Sequence, residues 1–160
     1  MNKTDITIEP GRQDIVVERV FDAPRDVVFK ALTDPKLIPS WWGPRQLTTK
    51  VDEMDVRAGG RWRYTQRDPQ GNEFAFKGVY HDAVSPQLVI STFEFEGAPG
   101  HVALDTLTLE EVDGKTRYRS VSVFPSVADR DAAVQSGMES GMRETYERLD
   151  EVIEGILSHV

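Results

Sequence analysis

The sequence predicts an α+β fold in which helices cover one face of a long antiparallel sheet. Short runs of alternating apolar and polar residues, separated by turn signals, fill residues 47–124. An apolar pattern with helical spacing occupies residues 126–160. With 160 residues the chain is most simply one domain, so we treat residues 1–160 as a single unit.

The N-terminal region predicts one strand followed by two short helices. A β-rich run at 15–20 ends near Pro24, which suits the first position of a helix. An apolar stripe then indicates a short helix: Val28, Ala31 and Leu32. Asp34-Pro35 interrupts this helix and begins a second one. Pro39 predicts a 3₁₀-like or kinked turn before the tetrapeptide Trp41-Trp42-Gly43-Pro44.

The middle of the chain predicts a meander of hairpin-connected strands. Turn signals separate the runs: Gly59-Gly60, 68–72, Ser85-Pro86, 97–100 and Asp113-Gly114. The predicted strands cover 47–56, 62–67, 73–84, 88–96, 102–112 and 116–124. Together with the N-terminal strand, this makes a sheet of about seven strands.

The C-terminal region predicts one long helix over residues 126–160. Ser126 followed by Asp129 resembles a capping box. Apolar residues at steps of three or four share one face: Met138, Met142, Tyr146, Leu149, Ile153 and Ile156. Gly137 and Gly141 indicate either a bend or the close approach of another backbone or a ligand.

Strand alternation predicts an aromatic surface beneath this helix. Trp62 shares a face with Tyr64, Phe93 shares one with Phe95, and residues 74, 76, 78 and 80 share another. Thr106, Thr108, Ser120 and Ser122 lie in strand interiors. This mixture of rings, Met and hydroxyls suits a ligand pocket. The candidate ligand-binding residues are Trp41, Trp42, Trp62, Tyr64, Phe76, Tyr80, Phe93, Phe95, Met138, Met142 and Tyr146.

The two adjacent tryptophans leave a choice between two arrangements. Both rings could fill the core beneath the short helices, or one could do so while the other forms a wall of the pocket. The sequence does not decide which of Trp41 and Trp42 would face the pocket.

Composition excludes several classes of protein. Lys and Arg number 19 against 27 Asp and Glu, a formal charge of -8, and no basic run is present, so we expect no nucleic-acid partner. The absence of Cys excludes disulfides and thiolate chemistry. We find neither a signal peptide nor a run long enough to span a membrane, and we therefore expect a cytoplasmic protein.

Sequence motifs identify no catalytic residue, metal site or cofactor. His81, His101 and His159 have no partner at metal-ligand spacing on the same element. Gly59-Gly60 lacks the glycine pattern of a dinucleotide site, and no Gly-x-Ser-x-Gly motif is present.

An ordered set of motifs resembles a known family. The motifs are 20–24, Val28-Phe29, Asp34-Pro35, 41–44, 57–60 and 68–72. In this order they are similar to the activator of heat-shock protein 90 ATPase homologue family, of the START-like superfamily that includes polyketide cyclases. The resemblance runs from about residue 15 to residue 157. It implies a helix-grip fold, in which a curved antiparallel sheet wraps the C-terminal helix and leaves a cavity, and it carries over no catalytic residue.

Three functions are compatible with these observations. The first is binding of a hydrophobic small molecule in the cavity between sheet and helix, without catalysis. The second is a cyclase- or hydrolase-type enzyme that uses polar pocket groups, namely Tyr64, Tyr80, Ser120 or Ser122. The third is a protein-interaction module linked to a chaperone, which requires an exposed apolar patch on the outside of the sheet. We expect a monomer or homodimer. A chaperone partner stays among the alternatives, although the chain has no room for the additional N-terminal domain of the chaperone activators.

Overall fold

A computed structural model of the chain describes residues 3–159 as one eight-stranded sheet and four helices. The strands are β1 (Asp5–Thr7), β2 (Asp14–Phe21), β3 (Thr48–Met54), β4 (Arg61–Arg67), β5 (Glu73–Val84), β6 (Leu88–Phe95), β7 (Ala103–Val112) and β8 (Lys115–Val123). The helices are α1 (Arg25–Thr33), α2 (Ile38–Trp41), α3 (Val127–Gln135) and α4 (Met138–Ser158).

The sheet is antiparallel throughout, in the order β1-β2-β8-β7-β6-β5-β4-β3. Strands β3 to β8 form the predicted meander, and β2 closes onto the last strand, with Ile15 opposite Ser122. Register shifts in β3 and β5 interrupt the ladder between Val51 and Glu53 and between Tyr80 and Asp82. Such bulges bend a strand and increase its twist, which helps a sheet to curve around a helix.

The prediction of about seven strands is one strand short. Three residues, Asp5–Thr7, form an additional edge strand that pairs with β2, with Ile6 opposite Val17. Three residues are too few to establish a period of two, so local pattern alone did not identify this strand.

Both predicted short helices are present, but α2 begins at Ile38, after a turn, rather than at Asp34-Pro35, and the prolines differ slightly from their predicted positions. Pro24 is the N-cap of α1 rather than its first residue. Pro39 lies in the first turn of α2, which is a single α-helical turn rather than the predicted 3₁₀-like turn. Proline is tolerated there because the first amides of a helix have no intrahelical acceptor to lose.

The predicted single C-terminal helix is wrong: two helices are present, separated at Ser136 and Gly137. Gly137 has φ +85°, a left-handed conformation that ends regular helix and that glycine adopts at little cost. The predicted cap is confirmed, because the Ser126 hydroxyl accepts a hydrogen bond from the Asp129 amide. Val160, the last residue of the predicted helix, lies outside the described residues.

The sheet has an inner face, which carries the core and faces the helices, and an outer face. Residues directly opposite in an antiparallel pair point to the same side, so the register assigns every strand residue to one face. The predicted apolar face of the C-terminal helix is confirmed: Tyr146, Leu149 and Ile153 are buried, and Met138, Met142 and Ile156 pack partly buried against the core.

Candidate functional site

The candidate residues lie on the inner face of the sheet, on α4 and in the turn after α2. The backbone of α4 comes closest to α1, α2 and α3. It reaches the sheet through long side chains: the Tyr146 ring stacks edge-on against Tyr118 of β8, with ring centres 5.2 Å apart. Large side chains therefore bridge the gap between helix and sheet at this end of α4.

Aromatic rings from three adjacent strands meet on the inner face. Trp62 lies 4.7 Å from Tyr64 and 6.0 Å from Phe93, measured between ring centres. Phe76 lies 5.5 Å from Phe93 and 5.2 Å from Phe95. The alternation predicted from the sequence is thus confirmed on β4, β5 and β6.

Trp41 and Trp42 have different locations. Trp41 is buried in the core beneath the short helices, and its Nε1 donates to the Ala31 carbonyl at 2.9 Å. Trp42 is half-buried and contacts the inner-face rings, with its ring centre 5.0 Å from that of Tyr64 and 5.3 Å from that of Phe76. Adjacent residues in this turn point in different directions, so only Trp42 belongs to the aromatic surface.

The position of Trp42 depends on a network of buried polar side chains. Its carbonyl accepts a hydrogen bond from Thr49 Oγ1 at 2.8 Å, and Thr49 Oγ1 accepts one from Gln66 Nε2 at 3.3 Å. Gly43 follows Trp42 with φ +92°, and a Cβ at that position would lie 1.9 Å from the Gln66 amide nitrogen. Glycine is required here for both conformation and space. Arg148 of α4 holds the same loop by donating to the Gly43 carbonyl at 2.7 Å.

Gly78 makes room for the Trp62 indole. It lies opposite Trp62 in the ladder, and a Cβ on it would lie 2.4 Å from Trp62 Nε1 and 1.9 Å from the Thr92 carbonyl oxygen. Without a side chain there, Trp62 Nε1 reaches past β5 and donates to the Thr92 carbonyl of β6 at 3.2 Å. A glycine in a strand interior often marks this kind of close approach.

Polar groups occupy the part of the inner face formed by β2, β7 and β8. The hydroxyls of Tyr118 and Tyr146 are hydrogen-bonded at 3.0 Å. Burial raises the pKa of Tyr118 to about 12 and that of Tyr146 well above its usual value, so both phenols are neutral at physiological pH. Arg19, only 4% exposed, donates to Thr4 Oγ1 at 2.6 Å and pairs with Asp150 of α4.

Asp105 is the ionisable group of this region that the sequence analysis missed. It points to the inner face from β7, directly opposite Ser91 of β6 and Ser122 of β8. Burial raises the pKa of its carboxyl to about 6, and a hydrogen bond from Ser122 only partly offsets this shift. Alternation along β7 places Asp105 on the same face as Leu107 and Leu109, and this pattern could have identified it as an inward-facing residue. Arg19 was likewise placed by alternation with Ile15 and Val17.

Tyr64 and Tyr80, which the enzyme hypothesis requires, are buried on the inner face. Burial raises the pKa of Tyr80 to about 12, and it raises the pKa of Tyr64 well above its usual value. The Tyr64 hydroxyl also contacts the sulfur of Met54 at 3.6 Å. Ser120 and Ser122 are half-buried on the same face, near Tyr118.

Many inner-face residues opposite α4 are neither buried nor exposed. They retain contact with solvent although they point toward the helix: Phe76, Ser91, Phe93, Asp105, Leu107, Ser120 and Ser122. Met138 and Met142, on the apolar face of α4, are also half-buried. Asp105 keeps some contact with solvent, although burial raises the pKa of its carboxyl. Two open depressions of about 320 and 190 Å³ lie elsewhere, on the outer side around Lys115 and Arg12.

The outer face carries charges and a row of apolar side chains. Arg61, Arg63, Arg117 and Arg119 point outward and form exposed or half-exposed ion pairs with carboxylates. Leu104 and Val123 are paired across β7 and β8 and are 45% and 41% exposed. They form the type of apolar outer surface that the interaction hypothesis requires.

A metal-binding group of side chains and a membrane-spanning helix are both absent from the part of the chain that the structure describes. Within residues 3–159, no three His, Asp or Glu side chains are grouped so that they could bind a metal ion. No helix in that range is both long and apolar enough to cross a bilayer.

An antiparallel sheet wrapped around a long C-terminal helix, with two short helices after the second strand, defines the helix-grip fold of START-like domains. A family model matches residues 22–154. The chain belongs to this family, Activator of Hsp90 ATPase homolog 1-like protein.

Several solved structures share this fold. A crystal structure of a Rhodobacter sphaeroides protein is 28% identical, with a TM-score of 0.86, and the match covers 94% of this chain and 99% of that one. A solution structure of an Arthrobacter aurescens protein is 25% identical, with a TM-score of 0.87 and coverage of 94% and 91%. An AHSA1-like protein from Aeromonas hydrophila shares the fold at 17% identity, with a TM-score of 0.70 and coverage of 87% and 93%. A search of curated proteins found no match.

Proposed function

We propose that the protein binds a hydrophobic small molecule between the inner face of its sheet and α4, and that binding rather than catalysis is its role. One observation carries this proposal. Rings and hydroxyls of the sheet that point toward α4, and the two methionines on the apolar face of α4, stay half-buried, although core side chains around them, such as Leu149, are fully buried. An apolar ligand that covered these side chains would remove their remaining surface from water, at about 25 cal/mol per Å².

The chemistry of the lining favours a neutral or weakly polar ligand of aromatic or lipid-like character. Trp42, Phe76 and Phe93 offer ring faces, and Met138 and Met142 offer flexible, polarisable side chains that adapt to irregular shapes. A multiply charged ligand would lose its hydration here without enough opposite charge to replace it.

Native mass spectrometry of the purified protein tests whether a small molecule co-purifies with it. Thermal-shift measurements with planar aromatics and fatty acids provide a second readout, because a ligand that binds only the folded state raises its stability. We expect an increase in melting temperature for these compounds.

A matched pair of variants locates the binding. Met142→Trp would fill the space under α4, whereas Leu104→Trp adds the same ring to the outer face. The first variant should lose the ligand-induced shift and the second should retain it. Equal shifts in both variants, or no shift with any apolar compound in the unmodified protein, would contradict the proposal.

A further inference from the structure

Asp105 is an inward-facing carboxyl without a cationic partner. Among residues 3–159, no Lys, Arg or His forms an ion pair with it within 4 Å, and its direct neighbours across the ladder are two serines, Ser91 and Ser122. Arg19, the inward-facing arginine of β2, is already paired with Asp150. A buried carboxylate is ordinarily paired, because an isolated charge is poorly solvated inside a protein.

The surroundings of Asp105 join the polar and aromatic parts of the inner face. Phe93 is its diagonal neighbour on β6, since Phe93 pairs with Ala103 and Ser91 pairs with Asp105. Diagonal neighbours in an antiparallel sheet lie about 7 to 8 Å apart, within reach of an aromatic ring. Phe93 in turn contacts Phe76 and Trp62. A ligand lying against these rings would have one end at the carboxyl.

We propose that Asp105 anchors the polar end of the ligand, and that the ligand is an apolar molecule carrying one protonated amino group. This inference rests on the proposed function and specifies its ligand class. The ammonium group donates hydrogen bonds to the carboxylate and supplies the positive charge that the chain does not supply there. The aromatic rings add a second preference for a cation, because their faces attract positive charge.

The overall charge of the protein favours the same class of ligand. A formal charge of -8 draws cations toward the protein and repels anions. Arg19, the inward-facing arginine of β2, is compensated by Asp150 and does not reverse this preference.

Binding of an ammonium group beside Asp105 changes the protonation of its carboxyl. The titratable groups that face it are Tyr118 from β8 and Tyr146 from α4, and both phenols are neutral below pH 10. Burial holds the pKa of Asp105 near 6 in the free protein, and an ammonium group beside it would lower that pKa. Near pH 6, binding of an amine therefore releases protons from Asp105, whereas binding of a neutral analogue does not.

Four naphthalene derivatives that differ in one group provide the test: the methyl, hydroxymethyl, aminomethyl and carboxyl compounds. Titration calorimetry at pH 7.5 should show the aminomethyl compound binding about tenfold or more tightly than the hydroxymethyl compound, the difference expected of a charge-assisted hydrogen bond. The carboxyl compound should bind weakest.

The variant Asp105→Asn keeps the size of the side chain and removes its charge. It should lose the preference for the amine while retaining its affinity for the methyl compound. Glu110→Gln, on the outer face of the same strand, is the matched control and should retain the preference. Asp105→Ser provides a second replacement should the amide variant fold poorly.

The outcomes separate this inference from the proposed function. If the neutral compounds bind but the amine is not preferred, or if Asp105→Asn retains the preference, the amine inference is wrong and the binding function stands. If none of the four compounds binds, the proposed function itself fails. Calorimetry at pH 6 in two buffers of different ionisation enthalpy adds an independent readout: equal apparent enthalpies for the amine would show that no proton is released and would contradict the inference.

Discussion

At position 78 any side chain would occupy the space through which Trp62 reaches β6. We expect Gly78→Ala to destabilise the protein by about 2 to 4 kcal/mol, because the added methyl displaces the indole and breaks its hydrogen bond to the Thr92 carbonyl. Urea denaturation measures this loss, and Trp62 fluorescence should change with it.

Gly155 is the matched control for this substitution. It lies within α4, and a Cβ there would have no neighbour within 4 Å. Gly155→Ala should therefore stabilise the protein by up to about 1 kcal/mol, the difference in helix propensity. A neutral or stabilising result at position 78 would show that the indole tolerates a side chain beneath it.

Asp105 makes the stability of the protein depend on pH in an unusual direction for a carboxyl. Its folded-state pKa of about 6 lies above the ordinary value of 3.8, so the folded state holds a proton that the unfolded state releases. The stability that results is present below pH 3.8 and is lost as the pH rises through 6. Carboxylates with lowered pKa, such as Asp52 and Glu96, act in the opposite direction at lower pH.

Replacement of Asp105 by Asn isolates this contribution. At pH 7.5 we expect Asp105→Asn to be more stable than the original protein by roughly 1 to 2 kcal/mol, after allowance for the partial solvent contact of the side chain. At pH 4 the advantage should disappear. Denaturation curves at both values measure it, and an advantage independent of pH would assign the effect to packing rather than to charge.

Along α4, side chains on the same face differ in how deeply they are buried. Leu149 is fully buried, whereas Met142, two turns earlier, is half-buried beside the proposed ligand space. We expect Leu149→Ala to cost the full 2 to 5 kcal/mol of a core truncation, and Met142→Ala to cost less than about 2 kcal/mol. Thermal and urea denaturation measure both, and equal losses would place Met142 in the ordinary core.

Besides bordering the proposed ligand space, α4 is an essential part of the fold. Tyr146, Leu149 and Ile153 are buried, and each such side chain contributes about 1.5 to 3 kcal/mol. Their sum, with the half-buried side chains of the same face, is comparable with the 5 to 15 kcal/mol net stability of a domain. Deletion of residues 138–160 should therefore leave no cooperative thermal transition by calorimetry. A cooperative transition in the truncated chain would mean that the sheet and short helices are stable alone.

For the molecule as a whole, net charge and the inner lining act together on ligand choice. A formal charge of -8 repels anions at long range, and the strand arginines of β4 and β8 point outward into ion pairs. We expect nucleotides and other polyanions to leave the melting temperature unchanged at low salt, where electrostatic effects are largest. A rise with polyanions and none with apolar compounds would favour the enzyme hypothesis.

Most of the fold was accessible from local patterns. Period-two alternation gave the correct facing of Trp62, Phe76 and Phe93, because each residue of a strand points opposite to its neighbours whatever the strand pairs with. Helical spacing gave the correct inner face of α4 for the same reason. The candidate aromatic residues followed from these two periodicities, and the resemblance to the family indicated how sheet and helix combine.

By itself the sequence determined the α+β class, the order of the meander, the cap at Ser126 and the shared faces of the aromatic residues of β4, β5 and β6. Only the tertiary structure decided that Gly137 ends one helix and starts another, that Trp42 rather than Trp41 joins the aromatic surface, and that Asp105 lacks a cation while Arg19 has Asp150. Local patterns depend on residues a few positions apart, which the sequence displays directly. The partner and solvation of an individual inward-facing charge depend on contacts between distant parts of the chain. Arg19 and Asp150, for example, are 131 positions apart in the sequence, and they meet only once the sheet has closed around α4.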